Sequence, residues 1–264
     1  MKTGMTIAVL GATGMVGSRV ADEAAARGHQ VLALSRKPER ENPGDPRNPG
    51  DPRNPGDPRN PGDPRNPGDP RNPGDPRNPG KPNVTPIAVD ANDSHAVREA
   101  LAGSASHGPA DAVVLALRTV PVDEEFLVGA TRTVLDVAAR LGVRVLVVGG
   151  AGALRSPGDR DLLVADNPAY VPADIRAVAA AGIAQLRACQ SHTDADCVYL
   201  SPPALLEPGE RTGRYRLGTD TLLTGADGLS RISAEDLAVA MVDEIETPGT
   251  DPLITVVHAE HPST

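Results

Sequence analysis

Thr6-Ile-Ala-Val-Leu-Gly-Ala-Thr-Gly-Met-Val-Gly17 decides the fold. The apolar run Ile7 to Leu10 ends in glycines at 11, 14 and 17, and a helical pattern follows at once. A buried strand, a glycine turn and a helix, in that order, make the phosphate-binding unit of dinucleotide-binding folds. Gly11 suits a tight turn off the strand. Gly14 lets backbone approach a pyrophosphate, and Gly17 lets the helix pack closely on the strand. The helix N-terminus then offers free N–H groups and the positive end of its dipole to an anion. Gly11, Thr13, Gly14, Met15, Val16 and Gly17 are the first candidate cofactor-binding residues.

Working outward, the helix runs from about Met15 to Arg27, with Val16, Val20 and Ala24 on one face and Gly28 as its stop. A second strand, Val31–Leu34, ends in Ser35-Arg36-Lys37. An NAD site usually carries Asp or Glu near here for the ribose 2′-hydroxyl. Arg36 and Lys37 instead suit the 2′-phosphate of NADP, which a guanidinium grips with two hydrogen bonds; the alternative is a pair of solvated loop cations.

The hexamer Asn42-Pro-Gly-Asp-Pro-Arg47 then recurs unchanged through Arg77 and closes as Asn78-Pro-Gly-Lys-Pro82. It has no apolar residue to bury and cannot offset its ordering entropy. The tract 42–81 reads as a disordered surface insertion; a binding arm or a flap over the adenosine end is the alternative. Strand three, about Val84–Val89, leads to Asp90 and Ala91. An acid here could reach an adenine amino group, while Asp93 is placed as a helix N-cap. A helix at Ser94–Leu101 follows, then strand four at Ala112–Leu117, which runs into Arg118. After a long helix, Glu124–Leu141, strand five at Val143–Val148 opens into Gly149-Gly150-Ala151. This alternation predicts an α/β, doubly wound parallel sheet with right-handed crossovers. Ligand then sits at the carboxyl ends of the strands, among Gly11–Gly17, Arg36, Asp90, Leu117, Arg118, Gly149, Gly150 and Ala151.

The second half is looser. Ser156–Asn167 reads as a polar loop, and a helix is expected over Pro172–Gln190. Strand six, Cys197–Leu200, ends in Ser201-Pro202-Pro203. Ser233-Ala-Glu-Asp236 is a capping box for a helix to about Ile245, and Leu253–Val257 is a last strand. The chain reads as one domain, 1–264, with 201–264 as a small substrate-side portion.

A net charge of −9 over 264 residues argues against nucleic-acid or anionic membrane surfaces. No apolar run is long enough to span a bilayer. Cys189 and Cys197 fit no metal pattern and read as reduced thiols of a cytoplasmic protein. The histidines form no ligand cluster; His29, His95, His107 and His192 read as solvated. With no tryptophan and one phenylalanine, the core must be aliphatic.

A carbonyl reductase of this kind would use Tyr-x-x-x-Lys after strand five, the lysine lowering the tyrosine pKa. The best-placed tyrosine, Tyr170, has Asp174 four residues on, which tends to raise it. Tyr170 therefore reads as a structural or rim residue. A flavin or quinone needs no strong acid, since it takes hydride from NADPH directly and solvent supplies the later proton. Arg118 could face the charge that develops on such an acceptor, as the one catalytic candidate; a surface salt bridge is its alternative.

Gly11–Gly17, Leu146-Val-Val-Gly-Gly-Ala-Gly-Ala-Leu154, Ser201-Pro-Pro-Ala-Leu-Leu-Glu-Pro-Gly-Glu-Arg-Thr-Gly213, Tyr215–Gly218 and Ser230–Ala238 together resemble the atypical short-chain dehydrogenase-like proteins. Within them the chain resembles the NAD(P)H-binding group described as NADH-flavin reductases, related to biliverdin reductase B and the NmrA-like regulators. The resemblance implies a Rossmann-like fold with NADP(H) across the strand ends. It also implies Pro202 and Pro203 near the nicotinamide, Asp90 and Ala91 near the adenine, and flavin as a possible substrate. Ala204 departs from the histidine of biliverdin reductase B. The expectation is an NADPH-dependent oxidoreductase acting on a small-molecule acceptor, as a monomer or homodimer without a metal. The alternative is a non-catalytic NADP(H)-binding redox sensor working through a protein partner.

Overall fold

The computed structural model describes residues 4–36 and 82–259. Lys37 and the repeat tract through residue 81 lie outside the described residues. β1 (Thr6–Leu10) is buried at every position, as a strand covered on both faces must be. It is followed by α1 (Met15–Ala26), β2 (Gln30–Ser35), β3 (Val84–Ala88), α2 (Ser94–Ala102), β4 (Ala112–Leu115), α3 (Glu124–Leu141) and β5 (Arg144–Val148). Then come β6 (Arg155–Ser156), β7 (Asp159–Leu163), α4 (Arg176–Ser191), β8 (Cys197–Ser201), β9 (Leu205–Glu207), β10 (Tyr215–Gly218), β11 (Arg231–Ser233), α5 (Ala234–Glu246) and β12 (Leu253–His258).

Eight strands form the main sheet in the order β10-β12-β8-β5-β4-β1-β2-β3. All neighbours in it are parallel except β10 with β12. The expected doubly wound Rossmann-like sheet is thus present. The chain lays β2 and β3 on one side of β1, then reverses and lays β4, β5, β8 and β12 on the other. That reversal opens a crevice at the carboxyl ends of β1 and β4, where ligands bind in such sheets.

Alternate strand residues fill two aliphatic layers. Ala8, Leu10, Val113, Leu115, Val145, Val147 and Tyr199 face α2, α3 and α4. Ile7, Val9, Val114, Leu146, Leu200 and Val256 face α1 and α5. A fully buried leucine of this sheet contributes about 1.5–3 kcal/mol by leaving water. The helices start where the side chains dictate. Asp93 caps α2 by accepting the N–H groups of His95 and Ala96, and Asp123 caps α3 by accepting that of Phe126. Gly142, in the left-handed region at φ 67°, ends α3.

Several local expectations change. Ser156–Asn167 is not a plain loop: Arg155–Ser156 pairs with Asp159–Leu163 as an antiparallel hairpin turning at Gly158. α4 begins only at Arg176, after a single 3-10 turn at Ala173–Ile175. β9 and β11 form a separate two-stranded parallel sheet. Only half of the capping box forms. Ser233 Oγ accepts the Asp236 N–H, but the Asp236 carboxylate turns away to Thr212 and Gly213. His29 is wholly buried rather than solvated, since its Nε2 lies 2.9 Å from a carboxylate oxygen of Glu246 on α5.

Candidate cofactor site

The glycine turn occupies the crevice. Gly11 has φ +84°, and a Cβ there would lie 2.3 Å from the carbonyl oxygen of Ala116 at the exit of β4. Both the turn and the close approach of β4 therefore require glycine. At Gly17 a Cβ would lie 2.2 Å from the Gly11 carbonyl oxygen, so the first turn of α1 rests directly on the loop that precedes it. α2, α3 and α5 open with a capping side chain, whereas α1 opens at Gly14 with none and with no acid in its first turn. Ser18 N–H makes the first bond back to Gly14. The N–H groups of Met15, Val16 and Gly17 then lack intrahelical acceptors and present a dipole end suited to phosphate. Thr13, Gly14 and Met15 are exposed at this end.

Other candidates converge on the same rim. Gly11 N–H bonds Leu34 at the end of β2, Val89 N–H bonds Ser35, and Ala116 N–H bonds Leu10. The exits of β1 to β4 are thereby tied into one edge, with Leu117 against Gly11. Asp90 is exposed beyond β3 and accepts the Asn92 N–H, while Ala91 is buried in the core. Arg36 and Arg118 line one cavity of about 580 Å³ together with Thr119, Pro121, Asp123, Glu124 and Phe126. Sequence reasoning had not singled out Phe126. Its ring centroid lies 5.4 Å from the Arg36 guanidinium carbon. Arg118 thus stands beside Arg36, in a cavity whose lining includes none of Gly149, Gly150, Pro202 or Pro203.

Those four residues lie at the exits of β5 and β8. The Tyr199 ring explains Gly149, where a Cβ would fall 1.9 Å from the phenol oxygen. Tyr199 is wholly buried, and its hydroxyl donates to the Gly182 carbonyl on α4 at 2.8 Å. Pro202 and Pro203 are buried. Near them Leu154, Val164, Val171, Ala179 and Leu222 form a third apolar cluster, against which Tyr170 and Ala204 pack.

The segment after Pro203 is held by charge. The Arg211 guanidinium donates two bonds of 2.7 Å to Glu23 on α1. Gly209 N–H bonds Glu235, which also accepts from Arg19, and Thr212 and Gly213 donate to the wholly buried Asp236. The Arg211 guanidinium, joined by Arg27, holds the Glu23 carboxyl below the ordinary carboxylate range against the opposing effect of burial. Burial also opposes ionisation of Glu235, but Arg19 and the Gly209 N–H outweigh it and hold its pKa low. The Ser201–Gly218 segment therefore contains an anchor between α1 and α5, a role its sequence does not reveal.

Acid–base chemistry has few carriers here. None of the three tyrosines has a lysine four residues on. Burial pushes the Tyr199 phenol up, and burial together with a bond to Asp243 does the same at Tyr215. Among the described residues no group of three or more His, Cys, Asp or Glu side chains could hold a metal ion. Among them too, no helix is long and apolar enough to cross a membrane.

Fold and rim define a nucleotide-binding protein of the Rossmann-like class. A family model described as NAD(P)H-binding matches residues 71–248, and the chain belongs to that family, with a nicotinamide cofactor as its ligand. The match begins beyond the glycine turn, which stands as a separate observation. A Bacillus subtilis (strain 168) protein, YwnB, called uncharacterized, is 29% identical over 246 residues, covering 92% of this chain and 93% of its own. A Burkholderia pseudomallei crystal structure, provisionally called an exported protein, is 35% identical with a TM-score of 0.70, covering 96% of this chain and 100% of that one. A Bacteroides thetaiotaomicron structure, provisionally called an epimerase, is 29% identical with a TM-score of 0.72 and covers 99% and 100%. A Streptococcus pneumoniae structure, provisionally called an NADH-flavin reductase, shares the fold at 23% identity and a TM-score of 0.68, covering 97% and 100%.

Proposed function

We propose that this protein is an NADPH-dependent oxidoreductase that passes hydride to a flavin or quinone. The observation that carries the reading is Arg36. It follows the last residue of β2, where an NAD site would place a carboxylate, and lines an open cavity with Arg118 and the segment that follows it. A guanidinium there meets a 2′-phosphate with two charge-assisted bonds. The Met15, Val16 and Gly17 N–H groups take the pyrophosphate. Lys37 would add a second charge, Asp90 and Ala91 border the adenine, and Gly149, Gly150, Pro202 and Pro203 border the nicotinamide. Arg118 meets either the cofactor's phosphate or the charge on the acceptor, and Arg118→Ala separates these. A raised cofactor Kd at constant kcat assigns it to binding; a lowered kcat at constant Kd assigns it to the acceptor.

With two of the tyrosines sequestered and the third lacking a lysine partner, an acceptor that needs no strong protein acid fits best. The S. pneumoniae structure's description agrees with flavin as acceptor. The test is steady-state NADPH oxidation with FMN, riboflavin and a quinone. Turnover with one of them is expected. Tight NADP⁺ binding without turnover on any acceptor would remove the enzyme and leave an NADP(H)-responsive sensor that signals to a partner protein.

A further inference from the structure

The one phenylalanine of the chain does not serve the core. Both large apolar layers are aliphatic apart from Tyr199 and Tyr215, and Phe126 belongs to neither. It stands instead in the first turn of α3, half-buried, on the wall of the cavity that Arg36 and Arg118 share. Its place is fixed by local bonds. Thr119 Oγ1 accepts the Asp123 N–H at 2.7 Å, and Asp123 Oδ1 accepts the Phe126 N–H at 2.9 Å. The Arg36 guanidinium carbon sits over the ring, 5.4 Å from its centroid.

We propose that Phe126 is a positioning residue that sets selectivity for a 2′-phosphorylated dinucleotide, by holding the Arg36 guanidinium against its ring. The proposal rests on the NADPH reading above. Arg36 is exposed, so without support it must give up rotamer freedom each time it grips a phosphate. Two carboxylates, Asp123 and Glu124, line the same cavity. A carboxylate partner would consume N–H donors. A ring face offers the cation an attractive surface without accepting the in-plane hydrogen bonds that a carboxylate takes. Among the described residues no carboxylate forms an ion pair with Arg36. The ring thus orients the cation and leaves its hydrogen-bonding edge for the ligand.

The test is calorimetric binding of NADP⁺ and NAD⁺ to the full chain and to Arg36→Ala, Phe126→Leu, Phe126→Trp and the Arg36→Ala/Phe126→Leu double variant. Phe126→Leu should weaken NADP⁺ by about two- to tenfold, the range a partly exposed cation–aromatic contact supplies, and leave NAD⁺ unchanged. Phe126→Trp should restore NADP⁺ affinity. In the Arg36→Ala background Phe126→Leu should change neither. Equal weakening of both cofactors, no change in either, or a Phe126→Leu effect that persists without Arg36 would overturn the proposal. If Arg36→Ala itself leaves the NADP⁺ to NAD⁺ ratio unchanged, the NADPH reading falls first. If Arg36→Ala collapses the ratio and Phe126→Leu does not move it, only the role of Phe126 falls.

Discussion

Gly17→Ala puts the glycine turn to its hardest test. The new Cβ would lie 2.2 Å from the carbonyl oxygen of Gly11 and 2.7 Å from its carbon. Both atoms are backbone, so no side chain can rotate away. Restoring ordinary contact means moving the start of α1 off the turn by about 1 Å. Such overpacking costs about 1–3 kcal/mol, while alanine returns about 1 kcal/mol of helix propensity. The net loss of stability should be about 0–2 kcal/mol, read from urea unfolding. Affinity should suffer more. The displaced N–H groups are those proposed to take the pyrophosphate, and losing two hydrogen bonds of about 0.5–1.5 kcal/mol each weakens binding by about 5- to 150-fold. Titration calorimetry with NADP⁺ measures this against Ser18→Ala, one residue along the same helix. A Gly17→Ala protein that binds NADP⁺ as tightly as the parent would refute the assignment of the anion site to this turn.

Glu23→Gln should destabilise the fold at pH 7 by about 1–3 kcal/mol, less than for a fully buried pair because Arg211 is half-exposed. The folded pKa of Glu23 is depressed, so its stabilisation is present above the ordinary 4.5 and is lost as pH falls through the folded value. The gap to the parent should therefore narrow below pH 4.5 in denaturant titrations, and a gap constant from neutral pH into that range would reject the ion-pair account. Deleting residues 42–80 should leave the melting temperature and NADP⁺ affinity unchanged. The return path from Ser35 to Val84 covers a five-residue strand, about 17 Å, and the nine residues left as linker reach about 30–32 Å. A large loss of either property would give the repeat a working role. Tyr170→Phe should keep NADPH oxidation near the parent rate, whereas a general acid would leave a loss of about 10²–10⁴-fold.

What was legible in the sequence was what short-range physics decides. Gly11, Gly14 and Gly17 mark a turn whose steric demands are local, and Asp93 reads as a cap because its acceptor reaches N–H groups two and three residues on. The parallel, doubly wound sheet followed from the alternation of strands and helices, because parallel strands require crossovers. What was not legible depends on distant partners. His29 looked like a helix-end histidine, yet its place is set by Glu246, 217 residues away. Gly149 looked like a cofactor glycine, while the structure gives it a steric reason in Tyr199. Short polar strands such as β6 and β7 carry too little alternation to announce themselves. Phe126 carried one usable signal: it is the lone phenylalanine of an aliphatic protein, in the first turn of the helix that follows a central strand.

The two ends of the crevice are built on different physics. The end at β2 and β4 is open and charged, with Arg36, Arg118, Asp123 and Glu124 around one cavity. Such groups choose between ligands that differ by a phosphate, because an unmatched charge is costly there. The end at β5 and β8 is bordered by buried prolines and an aliphatic cluster, and the Tyr199 hydroxyl beneath it is already spent on Gly182. Apolar walls discriminate weakly between flat acceptors of similar shape. On the NADPH reading, selectivity for the cofactor and tolerance toward the acceptor would follow from one sheet: the charged half is assembled by the exits of β2 and β4, and the apolar half by the segments that follow β5 and β8.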